Sequence, residues 1–364
     1  MPGAKKSSSL TRLLDVFGFG SAVGNTKKLV GLDIGTSTIK AVELTKAGNE
    51  FVITGFAKCR IAADEPPQNA IRALLHERNM LGSPVATAVS GQSIIVRHIL
   101  LPDLSDDRLE KAVKEEAPKY IPFEISDVSL DFQRLGTRQR EGESAESRVA
   151  LVAAKRHFIS EHVTLMQQAG LHLQAIDVDC FAINNAFDFY ASRTADDEGE
   201  KEVENVALID IGGAKTEINI LEKGNLAFTR EIYVSGDDFT QEIARRCNVD
   251  PEKAEKLKSD PEEDSEKVAL SIQRVLEDLA RETRLSFDYF EHQTDENVKH
   301  VYLSGGGSRL TNLREGLEEK IGIPTELWDP TEGLAVDDSL VSVDELQECA
   351  PQLTVAVGLA SRLT

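Results

Sequence analysis

Residues 29–44 read LVGLDIGTSTIKAVEL, two apolar runs (29–34 and 39–44) joined by Gly35, Thr36, Ser37 and Thr38. Each run has strand composition, and so short a joint predicts an antiparallel hairpin. Asp33 stands alone among apolar neighbours at the end of the first strand. A carboxylate there loses hydration unless a cation or a donor meets it. Gly35 permits a tight turn, and three hydroxyls follow it. Backbone N–H groups and hydroxyls converging in one turn make an anion cradle, and a neighbouring Asp can hold the water shell of a Mg2+ ion. A polar turn capped by an Asp is the plainer reading, and the hairpin alone does not choose between them.

The pattern returns in the second half. Leu208-Ile209-Asp210-Ile211-Gly212 echoes Leu32-Asp33-Ile34-Gly35, the two Asp residues standing 177 positions apart (210 − 33), and residues 216–221 supply a return strand. Such a repeat implies two like domains, each offering an Asp and a glycine turn to a shared cleft. Further on, a strand at 300–303 runs into Ser304-Gly305-Gly306-Gly307-Ser308 ahead of a helix at 310–321. Three glycines between strand and helix let backbone approach a flat or anionic ligand; a merely flexible turn is the alternative. Residues 193–205, RTADDEGEKEVEN, read as a solvated acidic linker and the domain boundary. The expected division is a basic tail over 1–27, a first domain over 28–192 with a small subdomain near 101–154, a second over 206–347 with a subdomain near 241–298, and a small-residue terminal helix within 348–364 returning to the first.

Composition excludes several classes. The 364-residue chain carries a net charge of −21, which repels nucleic acid. Cys59, Cys180, Cys247 and Cys349 are too scattered for a metal cluster or a disulfide framework, so a reducing cytoplasm is expected. No apolar run approaches the ~18–20 residues of a membrane span, and the first residues lack a signal-peptide core. Leu10, Leu13, Leu14 and Phe17 fall at helical spacing in the basic tail, as a short membrane-surface helix or as a disordered arm. Within 104–123, Ser105 offers an N-cap, Leu109, Ala112, Val113 and Ala117 share one face, and the segment closes on Tyr120-Ile121-Pro122-Phe123. Glu255 and Lys258 share one face of a short helix starting at Pro251.

Taken in order, GLDIGTST, PPQNAIRALL leading to SGQS, LIDIGGAKT, YLSGGGS and AVGLA resemble the actin-like ATPase superfamily of actin, sugar kinases and FtsA. That resemblance implies an α/β, actin-like (ribonuclease H-like) two-domain fold with mixed sheets and a nucleotide cleft between the domains. The segment VRHILLP…LEKAVKEEAPKYIPFEISDVSLDFQRLG…VALVAAKRHFI more specifically resembles the PilM family of type IV pilus assembly proteins, which shares a displaced small subdomain with FtsA. By resemblance, Asp33, Gly35, Thr36, Ser37 and Thr38 form one phosphate site and Asp210, Gly212, Gly213 and Thr216 the other, Asp33 and Asp210 holding Mg2+ through water. Gly305, Gly306 and Gly307 receive the adenine and ribose of ATP, Glu255 and Lys258 touch the ribose and adenine edge, and Gly236 and Asp238 lie near sugar and phosphates. The resemblance also implies a cytoplasmic scaffold peripheral to the inner membrane. It binds the tail of a PilN-like protein beside Tyr120, Ile121, Pro122 and Phe123, sits among other pilus platform proteins, and can self-associate. The alternatives are an FtsA-like division protein and a kinase or ATPase with its own substrate. For such an enzyme Asp238 is the available base, unless it caps a helix, and ATP hydrolysis is expected to be slow at most. Two departures stand out. Lys215 occupies a turn where small hydroxyl residues are expected, pointing outward or adding a phosphate contact. The chain closes soon after AVGLA, so no C-terminal membrane helix of the FtsA kind is expected.

Overall fold

The computed structural model describes residues 27–48, 50–61, 65–138, 144–194, 204–260 and 264–363. The expected basic tail and acidic linker fall almost wholly outside these residues. In chain order the elements are β1 (Lys28–Ile34), β2 (Thr38–Ala47), β3 (Glu50–Arg60), α1 (Pro67–Glu77), β4 (Pro84–Val89), β5 (Ile94–Pro102), α2 (Asp106–Glu116), β6 (Val128–Arg138), β7 (Glu146–Lys155), α3 (Arg156–Gln168), β8 (His172–Val178) and α4 (Asp179–Thr194). There follow β9 (Val206–Ile211), β10 (Thr216–Glu222), β11 (Asn225–Ile232), α5 (Gly236–Cys247), α6 (Pro251–Ser259), α7 (Ser265–Thr294), β12 (His300–Ser304), α8 (Leu313–Ile321), β13 (Thr325–Leu327), β14 (Ala335–Val336), α9 (Val343–Cys349) and α10 (Thr354–Ala360).

Two sheets share one topology. The first runs β14-β3-β2-β1-β4-β8 and the second β11-β10-β9-β12-β13. Setting β14 aside, each is an antiparallel three-stranded meander extended by two parallel strands on its far side. The repeated Leu–Asp–Ile–Gly signature therefore marks β1 and β9, the corresponding strands of two like lobes. Their interior strands are apolar on both faces, as strands covered by helices on each side must be. Helix α10 closes the first lobe: all seven of its residues are buried. It lies against β1 and α4 so closely that a Cβ on Gly31 would fall on the Ala356 carbonyl, and one on Gly358 on that of Ala182.

A third sheet, β5-β7-β6, forms a small unit inserted between β4 and α3. Residues alternate across it. Ile99, Leu101, Val149 and Leu151 pack with Leu109 and Val113 of α2, whereas Ala150 and Val152 face the main core. A second inserted unit, α5, α6 and the first turns of α7, packs on Ile243, Ala254, Leu257 and Val268. The lobes meet at an aromatic cluster, where Phe187 of α4 lies 4.9 Å from Tyr302 and 5.4 Å from Trp328, ring to ring.

Candidate functional site

The two hairpin turns are built alike. The Gly35 N–H donates to the Thr38 carbonyl at 3.0 Å, and the Gly212 N–H to that of Lys215 at 2.9 Å. They face each other across the lobes. A Cβ on Gly213 would stand 2.8 Å from Thr36 Oγ1 and 3.2 Å from Ser37 Oγ, so only glycine leaves the gap open. Between the turns lies a cavity of about 230 Å³ lined by Asp33, Thr36, Ser37, Thr38 and Lys40 on one side and Asp210, Gly212, Gly213 and Lys215 on the other. Asp179, at the start of α4, and Glu217 also line it.

Its charges are arranged by strand register. Asp33 on β1 sits opposite Lys40 on β2, and Lys40 Nζ donates to Asp33 Oδ2 at 2.6 Å. Burial pushes the Asp33 carboxyl above its usual range despite that partner; burial alone would depress the Lys40 ammonium, but Asp33 holds it higher. In the second hairpin the same positions hold two acids, Asp210 opposite Glu217. Asp210 accepts a 2.7 Å bond from Ser304 Oγ, and burial raises its pKa to about 6. Glu217 accepts from Thr229 Oγ1 at 2.8 Å, and burial takes it to about 7. Asp179 is buried too, yet Lys215 at 3.0 Å outweighs the cost and holds it below the usual carboxylate range.

The expected nucleoside-side residues are only partly brought here. Glu255 and Lys258 pair at 2.6 Å, and both reach Thr240 Oγ1, at 2.6 and 2.9 Å, beside the Gly236 carbonyl. Arg60 of the first lobe approaches Glu255 at 3.8 Å. Gly236 packs on the second turn, its N–H donating to the Gly212 carbonyl at 2.9 Å. Thr216 is fully buried and spends its hydroxyl on the Val234 carbonyl at 2.6 Å, so it braces the turn from behind. Two of the three consecutive glycines are demanded by packing: a Cβ on Gly305 or Gly307 would strike Ile211, whereas Gly306 has open space beside it.

Asp238 does what a helix N-terminus asks of it. Its Oδ2 accepts from the Ser235 N–H at 2.9 Å and Ser235 Oγ at 2.8 Å, a capping box for α5. A carboxylate so engaged is a cap rather than a base. Asp238→Ala is expected to cost about 1 kcal/mol in urea unfolding and to leave nucleotide affinity unchanged in calorimetry.

Lys40, Asp179 and Glu217 also line the cavity without having been anticipated as site residues, and Ser304 bonds Asp210 from outside its lining. Lys40 was readable, because a turn at 35–38 puts residue 40 opposite residue 33. Asp179 was not, since the sheet order β1-β4-β8, set by contacts between distant segments, is what brings the start of α4 beside the first turn. Among the described residues no three His, Cys, Asp or Glu side chains are grouped to hold a metal directly. The two strand-end Asp residues suit a cation held through its water shell instead.

Across residues 31–364 the chain matches the family model of type IV pilus assembly protein PilM. It belongs to the PilM family. A solved structure described as a PilM–PilN type IV pilus biogenesis complex superposes with a TM-score of 0.79 at 30% identity, covering 92% of this chain and 98% of that one. The ethanolamine utilization protein EutJ of Carboxydothermus hydrogenoformans, 18% identical with a TM-score of 0.53 over 92% of this chain and 90% of its own, shares the fold. Among curated proteins, cell division protein FtsA of Pseudomonas aeruginosa is 26% identical over 65% of this chain, and that of Bacillus subtilis 23% over 65%. The matches span only 62% and 58% of those two proteins. The PilM match extends over the small β5-β7-β6 unit and both lobes, so the family is set by the whole architecture rather than by the glycine turns.

The partner-binding residues expected at the end of α2 divide between core and surface. Ile121 is buried with Leu109 and Val113, and the Phe123 ring lies under Lys155 Nζ at 4.4 Å. Tyr120 and Pro122 are exposed. On the opposite face of the small sheet is a larger concavity of about 550 Å³, walled by His98 and Leu100 of β5, Leu135, Phe228 of β11 and Tyr289 of α7. Leu100 and Tyr289 are about half exposed, at 47% and 53%. His98 Nδ1 lies 2.5 Å from the Ala227 carbonyl and closes one end. Burial drops the His98 pKa to about 4, so its ring is neutral at physiological pH.

Proposed function

We propose that this PilM-family chain is an ATP-binding scaffold of the type IV pilus inner-membrane assembly platform, taking the cytoplasmic tail of a PilN-like protein. The observation that carries the nucleotide reading is the pair of matched turns facing one cavity, each with an Asp near its strand end and a glycine turn, with Gly213 left bare opposite Thr36 and Ser37. Thr36, Ser37, Lys40 and the turn N–H groups supply donors to phosphates, while Asp33 and Asp210 hold the water shell of Mg2+. Bound there, the ion supplies charge neutralisation between phosphates and the two carboxylates. Hydrolysis is slow at most in this reading: Asp33, Asp179, Asp210 and Glu217, which line the cavity, are each engaged by a neighbouring side chain. A steady-state hydrolysis rate well above ~1 per second, the low end of ordinary turnover numbers, overturns this scaffold reading.

A related structure is described as a PilM–PilN complex, and the groove between β5 and β11 is the surface here best shaped for an extended tail. Both strands are sheet edges, so their outer backbone groups are open to an added chain. The exposed Leu100 and Tyr289 supply apolar anchors. Leu100→Asp is expected to weaken a synthetic PilN-like tail by more than about tenfold in calorimetry, whereas Tyr120→Ala leaves it nearly unchanged. The reverse result moves docking to the α2 face. Among the described residues no helix is long and apolar enough to cross a membrane; in this proposal the partner supplies the attachment to the inner membrane.

A further inference from the structure

We propose that Lys215 is the positioning residue that allows the cleft to close, acting as the counter-charge between carboxylates of the two lobes. Corresponding strands make its position unusual. The first hairpin neutralises itself, with Lys40 directly across from Asp33. The second places Glu217 in the position of Lys40, so that two acids oppose each other. Its lysine stands instead in the turn, where the first hairpin has Thr38: both residues supply the carbonyl that receives the turn glycine N–H. From that turn Lys215 Nζ reaches Glu231 of β11 at 2.8 Å and Glu217 of β10 at 3.9 Å on its own lobe, and Asp179 of α4 on the other at 3.0 Å. Each of the four side chains is no more than a quarter exposed, from 9% for Glu217 to 24% for Lys215 itself.

Without this ammonium, closing the lobes would press Asp179 against Glu217 and Glu231 in a place where water does little to screen them. Breaking a buried ion pair by removing one partner leaves an uncompensated charge, and here it leaves the carboxylates of Asp179 and Glu231 together beside Glu217. Other bonds cross between the lobes, such as Asn219 Nδ2 to the Cys180 carbonyl at 2.6 Å. Arg148 with Glu222 and Arg60 with Glu255 also cross between the lobes, but those pairs do not involve Asp179, Glu217 or Glu231. The turn lysine thus points neither outward nor freely at a phosphate site: it holds the floor of the cleft together.

The test uses the full chain without nucleotide, read by small-angle X-ray scattering. Lys215→Met is expected to shift the radius of gyration upward, while Lys215→Arg keeps the wild-type value. Lys215→Met combined with Asp179→Asn returns to it, because the carboxylate facing across the cleft is gone. A Lys215→Met protein at the wild-type radius overturns the inference, as does a double variant as open as the single one. Should Lys215→Met fail to fold by circular dichroism, Lys215→Gln against Lys215→Arg decides: the first removes the counter-charge and opens the cleft, and the second keeps it closed. An unopened Lys215→Gln protein overturns the inference. One consequence rests on the nucleotide reading: Mg2+–ATP affinity falls about tenfold or more in Lys215→Met and recovers in the double variant. A wild-type chain that binds no nucleotide sinks that reading and leaves the scattering result standing.

Discussion

In calorimetric titration with Mg2+ and ATP, Asp33→Ala and Asp210→Asn both lose measurable binding, yet the two variants move stability in opposite directions. Asp33 pairs directly with Lys40, and each side chain is about 15% exposed or less. Its removal strands a buried ammonium, a loss of roughly 3 kcal/mol seen as a lower urea midpoint. Asp210 accepts from the Ser304 hydroxyl, and although Lys40 draws its pKa down, burial wins and raises it from 3.8 to about 6. The folded chain therefore holds that proton more tightly than the unfolded chain does. The associated stability is full below about pH 4 and is lost as pH rises through about 6. Asparagine keeps an acceptor for Ser304 and carries no charge, so Asp210→Asn unfolds at higher urea than wild type at pH 7.5, by roughly 2–3 kcal/mol. The same carboxyl links binding to protons. A cation drawn to Asp210 favours its ionised form, so Mg2+–ATP binding near pH 6 releases protons and its heat varies with the buffer's ionisation enthalpy. In Asp210→Asn that contribution is gone. Wild-type binding by both variants refutes the site, and an Asp210→Asn protein less stable than wild type at pH 7.5 refutes the electrostatic account of it.

How far the site could be read in advance follows from how local its parts are. Turn chemistry is local: the Asp, the glycine and the return strand occupy a dozen residues, and the echo at Asp210 exposed the duplicated lobe before any coordinates. The register that sets Lys40 against Asp33 is equally local. The fate of Asp238 was open at that stage, because a Ser–x–x–Asp start to a helix suits a cap and a cleft-facing base alike; the bonds from Ser235 decide it. What escaped depends on contacts between distant segments. Lys215 reads as a departure from a hydroxyl-rich turn, and its purpose emerges only when α4 and β11 stand on either side of it. Gly305 and Gly307 have the look of a ligand-facing run, but Ile211 of a strand nearly a hundred residues away is what forbids their side chains. The small-subdomain segment around Tyr120 was recognisable as family-specific. Which face of its sheet is concave was not, because the opposing wall comes from β11 and α7.

Gly358→Ala should be among the most damaging single-methyl changes at the described glycines. Helix α10 is wedged backbone to backbone: its Ala356 and Ala360 lie over Gly31 of β1, and its Gly358 lies over Ala182 and Ala186 of α4. A Cβ at 358 would overlap the Ala182 carbonyl and stand 3.0 Å from the Ala186 nitrogen, and neither is a side-chain tip that can swing aside. Relief requires α10 or α4 to shift as a body, yet α10 is buried along its whole length and tied beyond its end by the pairing of Arg362 with the buried Asp177. Overpacking a well-formed core costs about 1–3 kcal/mol when side chains can adjust. With backbone as the obstacle we expect about 4 kcal/mol or more, a large share of the roughly 5–15 kcal/mol that holds a domain together. Gly306→Ala is the matched control. Nothing lies within 4 Å of its added Cβ, so its urea midpoint should stay close to wild type. A Gly358→Ala midpoint equal to that of Gly306→Ala would sink the packing argument. The consequence for function follows from what α10 touches. β1 carries Asp33 one residue before its end and α4 begins at Asp179, so the helix that spaces these two elements also spaces the carboxylates on one wall of the cleft. A chain that survives Gly358→Ala with its fold intact should therefore bind Mg2+–ATP more weakly, although no atom of residue 358 lines the cavity.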